Sequence, residues 1–155
     1  MIGETAGAAS DPLAGLYQQV ILDHAKRRSG DHELKSADAE HYERNPTCGD
    51  EITVQLVLSP DGAVVDELAW HGAGCSISMA SASVLSELAE GKSVAEVRSM
   101  IDSFRELMRS RGTLEPDEDV LGDAIAFQGV SKFVMRVKCA MLSWVAAEAC
   151  LTQVA

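Results

Sequence analysis

Residues 48–75 read CGDEITVQLVLSPDGAVVDELAWHGAGC, and the fold follows from this stretch. From Glu51 onward Ile52, Val54, Leu56 and Leu58 alternate with Thr53, Gln55 and Val57. A period of two puts each row on its own face of a strand. Ser59-Pro60-Asp61-Gly62 has turn composition, and residues 64–70 predict the return strand, so the two form an antiparallel hairpin. A meander this short needs helices over one face to be stable.

Those helices are legible on both sides. Residues 1–10 are small and polar and predict a mobile tail. Asp11 then Pro12 reads as an N-cap followed by proline at the first helical position. Leu13, Leu16, Tyr17, Val20, Ile21 and His24 recur at helical spacing, so a helix is predicted over 12–28, stopped by Ser29-Gly30. Residues 30–47 are polar and read as a loop ending in Asn45-Pro46, which resists both helix and ladder. Downstream, residues 77–90 are rich in Ala, Ser and Leu, a helix that can pack closely on the sheet. Ser93 with Glu96 makes a capping box, and Val94, Val97, Ile101, Phe104, Leu107 and Met108 give the next helix its apolar stripe, ended by Arg111-Gly112. Residues 113–119 form an acidic loop, a short helix follows over 119–127 and breaks near Gly129, and the last helix runs over 131–152. The reading is an α+β fold, with a small antiparallel β-sheet, helices packed on one face, and one domain over residues 11–155.

Composition narrows the function. The 155 residues carry 13 basic and 24 acidic side chains, a net charge of −11, and 46% are hydrophobic. An apolar share this large builds a core without staples, and the negative excess repels phosphate backbones and anionic headgroups. The one basic cluster, Lys26-Arg27-Arg28, is too short to reverse that, so no nucleic acid and no membrane partner is expected. The start has neither a basic n-region nor an apolar h-region, and the chain reads as cytoplasmic. Four cysteines in such a chain point to reduced thiols used for metal binding or chemistry, not to a disulfide framework.

Three of the four stand in suggestive places. In Cys48-Gly49-Asp50 two ligand-type side chains flank a glycine whose missing Cβ lets both turn toward one centre. Cys75 lies between a glycine-rich turn and a helix start, where unpaired amides and the helix dipole attract negative charge. Cys139 lies in the last helix, and Arg136, three residues back, shares its face. Taken singly, each has a plain structural reading as a loop residue, a small buried hydrophobe or a basic helix surface. Together Cys48, Asp50, Cys75 and Cys139 make an S₃O set, and thiolates and carboxylates are ordinary zinc ligands. Their separations are not those of a zinc ribbon, so spacing alone leaves the metal as a hypothesis.

The segments LYQQVILDHAKRR, NPTCGDEITVQL, WHGAGCSISMASASVLSEL and FQGVSKFVMRVKCAMLSWVAAEA together resemble the SufU branch of the IscU-like (NifU N-terminal-like) iron-sulfur cluster assembly proteins. The resemblance runs from Leu16 over nearly the whole chain. It implies an α+β fold of about three strands with a metal site at one end. Lys138 stands where IscU-type scaffolds have a histidine, and residues 109–128 supply an extra segment typical of SufU-like chains. Both features select the zinc-dependent sulfurtransferase branch. Two departures touch no proposed ligand: Lys26-Arg27-Arg28 replaces an Asn-Pro-Arg element, and Val134-Met135 replaces Pro-Ala.

The resemblance implies a sulfur acceptor that takes persulfide sulfur from a SufS-type pyridoxal-phosphate cysteine desulfurase and passes it to a downstream iron-sulfur scaffold. Zn2+ would be held by Cys48, Asp50, Cys75 and Cys139. Cys48 is the expected acceptor because it lies in a loop and can swing out; a histidine of the docked desulfurase would take its place on the metal. Arg136 would offset the negative charge of the set. Two alternatives use the same residues: a scaffold that holds iron or a transient iron-sulfur cluster, and a purely structural zinc protein. Cys150 is expected to be a buried spare thiol, His24 a half-buried packing residue, His71 a minor rival ligand, His32 and His41 solvated, and Trp70 and Trp144 core.

Overall fold

The computed structural model describes residues 12–154. The tail expected over 1–10 and the Asp11 cap lie outside the described residues. Along the chain run α1 (Pro12–Arg27), β1 (Ala39–Arg44), β2 (Glu51–Leu58), β3 (Val65–Ala73), α2 (Ser76–Ala89), α3 (Val94–Arg109), the one-turn α4 (Glu118–Leu121), a 3-10 helix (Gly122–Lys132) and α5 (Val134–Gln153). The three strands form one antiparallel sheet in the order β1-β2-β3. With helices packed against it, this is the α+β architecture anticipated.

The hairpin from the opening stretch is β2–β3, with Val54 opposite Trp70 and Leu56 opposite Leu68. All four side chains are buried. The return strand runs three residues further than predicted, to Ala73. Gly72 permits this, since a Cβ there would lie 2.2 Å from the Glu51 carbonyl oxygen.

The loop expected over 30–47 is corrected by β1. Only Ala39 of its six residues is fully buried, so the strand lacks the apolar row that marks a sheet interior. Glu40, Glu43 and Arg44 suit an edge strand, where charge discourages further pairing. Its backbone still pairs fully with β2, from Ala39 opposite Leu56 to Arg44 opposite Glu51. The Gln153 side chain closes one end by donating to the Glu40 carbonyl at 2.8 Å.

α5 lies across β1 and β2, α2 across β3 and α5, and α1 on α2. Close approach of α2 comes from its small residues: Ala80, Ser81, Ala82, Ser83 and Ser86 are all buried. Their hydroxyls are satisfied internally, Ser86 donating to the Leu68 carbonyl at 2.8 Å and Ser81 to the Ala140 carbonyl at 2.6 Å. Trp144 donates its indole N–H to Ser81 Oγ at 2.8 Å and stacks on Phe104 at 4.0 Å between centroids. Trp70 and Trp144 are thus core, as expected, and Cys150 is buried beside Val54.

Four local differences from the sequence reading have physical causes. α1 ends at Arg27 because Arg28 takes a left-handed φ of +50. The short helix breaks at Gly122, also at φ +50, and the chain continues as a 3-10 segment where a helix over 119–127 was expected. α5 starts at Val134 because Phe133 is extended. His24 is wholly buried where half-burial was expected; its ring meets Ser83 Oγ at 2.9 Å and Asp123 Oδ2 at 3.0 Å, tying α1 to α2 and to the 3-10 segment. Both arginines of the basic triplet are internally engaged: Arg27 pairs with Glu87, and Arg28 pairs with Asp31 and lies over the Trp70 ring.

Candidate functional site

Three elements deliver the four proposed ligands to one end of the sheet. The β1–β2 ladder gains one more rung beyond Arg44 and Glu51, the Asn45 N–H donating to the Asp50 carbonyl at 2.8 Å. Gly49, at φ +77, donates back to the Asn45 carbonyl at 2.8 Å, and the Thr47 N–H donates to Asn45 Oδ1 at 3.1 Å. Residues 46–49 are therefore a tight turn with Cys48 exposed on it and Asp50 buried at its base. Cys75 is the extended N-cap residue of α2, reached directly from the end of β3. Cys139 is buried in the second turn of α5.

The side chains converge. Cys48 Sγ lies 3.6 Å from Cys139 Sγ, and one ligand atom from each of Cys48, Asp50 and Cys139 lies within 4.8 Å of the others. Cys75 joins through the aspartate: its Sγ is 3.5 Å from Asp50 Oδ2 and its N–H donates to Oδ1 at 3.2 Å. Gly74 makes room for this, because a Cβ there would lie 2.8 Å from Asp50 Cγ.

Sequence reasoning missed Ser78. Its hydroxyl, three residues after Cys75 on α2, donates to Asp50 Oδ2. The signal available was the i, i+3 spacing from Cys75 at a helix start. Asn45 was also missed as anything beyond a breaker.

The electrostatics of the cluster suit a site that exchanges protons for a cation. Burial alone would raise the Asp50 pKa, but donation from Ser78 and from the thiols of Cys48, Cys139 and Cys75 outweighs it and holds the carboxyl below its ordinary value. The Cys139 thiol is pushed far up by burial first and then by Cys48, Cys75 and Asp50. Without a cation Cys139 therefore keeps its proton.

The donor set fits zinc. Tetrahedral zinc with sulfur at about 2.3 Å and oxygen at about 2.0 Å spaces two sulfur ligands by about 3.8 Å and a sulfur–oxygen pair by about 3.5 Å. The Cys48–Cys139 separation of 3.6 Å and the Cys75–Asp50 separation of 3.5 Å match two of those edges, while the group whose donor atoms all lie within 4.8 Å of one another is Cys48, Asp50 and Cys139, with Cys75 outside it.

Arg136 is exposed, and among the described residues its guanidinium makes no hydrogen bond or ion pair. It lines a groove of about 1270 Å³ between α1 and the 3-10 segment, together with Tyr17, Ile77 and Met135. His71 is absent from the ligand clusters among the described residues; its Nδ1 is buried without a partner. Cys150 lies 3.4 Å from the Val54 carbonyl, inside the core and away from the other thiols.

Several known proteins are similar to this chain in sequence and fold. SufU of Bacillus subtilis (strain 168), named a zinc-dependent sulfurtransferase, is 43% identical over 137 residues, covering 88% of this chain and 89% of that protein. The iron-sulfur cluster assembly scaffold protein IscU of Streptococcus pyogenes serotype M1 is 36% identical over 136 residues, covering 88% and 82%. The crystal structure of FiSufU from Fervidobacterium islandicum AW-1 superposes with a TM-score of 0.78 at 32% identity, covering 85% of this chain and 93% of that one. The model of the NifU-like N-terminal domain matches residues 16–140, which include every proposed ligand. The chain belongs to the NifU-like N-terminal domain family.

Proposed function

We propose that this protein is a cytoplasmic, zinc-dependent sulfur acceptor of iron-sulfur cluster assembly. It takes sulfur from the persulfide of a SufS-type pyridoxal-phosphate cysteine desulfurase onto Cys48 and passes it to a downstream scaffold. The observation that carries this reading is the asymmetry of the cluster. Asp50 and Cys139 are buried and Cys75 is half-buried at a helix start, whereas Cys48 is exposed on a four-residue turn. One thiol of the set is free to meet a partner while three donors stay in place.

Zinc, when bound, holds thiolates ready and fixes their geometry without redox chemistry of its own. Asp50 is set by Ser78 and by the Cys75 amide. Cys139 is set by the helix that carries it. The Cys48 thiolate attacks the outer sulfur of the donor persulfide; a new S–S bond forms on Cys48, the donor's S–S bond breaks, and the donor cysteine leaves as a thiolate. The sulfane sulfur keeps its oxidation state, so no external oxidant or reductant enters the step. Arg136, exposed in the groove beside α1, offers a guanidinium to negative charge on the incoming partner.

The test is sulfide release by the desulfurase with cysteine and a reductant. Wild-type protein should raise turnover and Cys48→Ala should not; full stimulation by Cys48→Ala would refute the reading.

The scaffold reading has support in the 36% identity to an IscU named a cluster assembly scaffold and in the likeness to FiSufU, itself named a putative cluster assembly scaffold protein for the SUF system. Lys138 opposes it, since an ammonium on the helix beside Cys139 offers iron no ligand where an imidazole would. A brown, sulfide-containing protein as purified would favour the scaffold, and a colourless one with a single zinc favours transfer.

A further inference from the structure

The contact between Cys48 and Cys139 has a chemistry of its own. Their sulfur atoms lie 3.6 Å apart, and the two thiols differ in access: Cys48 is exposed on its turn, whereas Cys139 is 4% exposed in α5. Cys75 is directed instead at the Asp50 carboxylate, at 3.5 Å, and at the Ser78 hydroxyl, at 3.6 Å, and stands outside the group formed by Cys48, Asp50 and Cys139. Cys150 is in the core, 3.4 Å from the Val54 carbonyl.

An accessible sulfur touching a protected one is the arrangement in which oxidation ends at a disulfide. A dissolved oxidant meets Cys48 first, because it is the sulfur that solvent reaches. The Cys48 thiolate attacks one oxygen of hydrogen peroxide; the O–O bond breaks, hydroxide leaves, and Cys48 becomes a sulfenic acid. The Cys139 sulfur then attacks that sulfur; an S–S bond forms, the S–O bond breaks, and a second hydroxide leaves. Two thiolates lose two electrons and one peroxide gains them. The gap of 3.6 Å exceeds a disulfide bond by about 1.5 Å, and Cys48 on its exposed turn supplies that movement while α5 stays packed.

We propose that Cys48 and Cys139 form a reversible, peroxide-oxidised couple that removes the acceptor thiol and two metal donors in one reaction. The oxidised chain keeps only Asp50 and Cys75 of the proposed set, too few to hold zinc. A Cys48 sulfur in a disulfide has no thiolate to offer a donor persulfide, so sulfur acceptance stops. A thiol reductant reopens the bond by exchange and restores both functions. Cys139 also protects: without a neighbouring thiol to capture it, a sulfenic acid on Cys48 is open to further oxidation to the sulfinic acid, which such a reductant does not reverse. The effect on sulfur acceptance rests on the sulfur-transfer reading, whereas the pairing rests on the geometry alone.

The experiment treats the zinc-loaded, full-length chain with hydrogen peroxide in the presence of a chromophoric chelator. The sample is then alkylated without prior reduction and mapped by peptide mass spectrometry. The expected product is a linked Cys48–Cys139 peptide that accumulates in step with zinc release, and dithiothreitol with added zinc reverses both. Cys48→Ala should lose the peroxide-driven release, and Cys150→Ala should match wild type. Mapping of the wild-type chain decides the pairing even if a variant folds poorly. Retained zinc with no linked peptide would overturn the couple and leave sulfur transfer standing. A link through Cys75 would overturn the choice of partner, and a Cys48–Cys139 link without zinc release would overturn its coupling to the metal. Failure of the sulfur-transfer reading would show separately, as a reduced wild-type chain that does not stimulate the desulfurase.

Discussion

The sulfur atoms of Cys48 and Cys139 lie 3.6 Å apart although 91 residues separate them along the chain. The contact closes the turn between β1 and β2 onto α5, so the proposed metal site also fastens a sheet edge to the helix that covers it. Metal binding should therefore be read in stability as well as in chemistry.

Asp50→Ala removes the one oxygen donor and the acceptor for Ser78 and Cys75 together. It should lower zinc content and melting temperature in step, measured by metal analysis and thermal unfolding on the same preparation. Full zinc with an unchanged melting point would remove Asp50 from the ligand set. Ser78→Ala leaves every ligand in place and should weaken zinc about tenfold, as expected for a group that orients a ligand.

Gly74→Ala tests the same carboxylate from the other side. The added methyl would sit 2.8 Å from Asp50 Cγ and 2.9 Å from Oδ1. Displacing Asp50 should cost about 1–3 kcal/mol of stability and reduce zinc retention with all four ligands still present. Competition with a chromophoric chelator reads the second effect.

Zinc affinity should rise with pH. Because burial and neighbouring groups push the Cys139 thiol up, it is protonated in the metal-free protein near neutrality, and zinc must displace that proton. Each proton released steepens the dependence by up to about tenfold per pH unit. A chelator competition series at several pH values checks the slope; a flat series would show that no thiol proton is displaced.

Cys150 supplies an alkaline limit that has nothing to do with metal. Burial and then Glu40 raise its thiol from 9.0 to about 12. A raised folded pKa means stability that is complete below the ordinary value of 9.0 and falls as pH climbs toward about 12, because the unfolded chain ionises first. Cys150→Ala should flatten that alkaline decline in denaturant unfolding. Sulfur transfer by this variant should match wild type.

Much of this could be read from the residues because it depends on period and local chemistry. Ile52, Val54 and Leu56 alternate, Ser93 and Glu96 cap α3 as a reciprocal box, and the serines and alanines of α2 announce close packing. β1 could not be read that way. Its pairing is made by backbone groups, while Glu40, Glu43 and Arg44 carry no apolar row to reveal it. The site divided similarly. Cysteines and the aspartate stand out by type and by their glycine neighbours, whereas Ser78 and Asn45 matter only through where β1, β2 and α2 converge.

Arg136 is the least constrained of the proposed residues. If its exposed guanidinium meets the partner's negative charge, Arg136→Ala should lower stimulation of the desulfurase while leaving the free energy of unfolding within about 0.5 kcal/mol of wild type. Arg136→Lys should restore only part, since an ammonium lacks the planar fork. Wild-type stimulation by both variants would remove Arg136 from the mechanism.

The central claim is that sulfur arrives on Cys48 and on no other thiol. The direct measurement is to incubate the zinc-loaded protein with the desulfurase and cysteine, quench with an alkylating probe, and map persulfide adducts by peptide mass spectrometry. The predicted result is a labelled persulfide on the Cys48 peptide, with Cys75, Cys139 and Cys150 unlabelled. A persulfide on Cys75 or Cys139 with none on Cys48 would contradict the account.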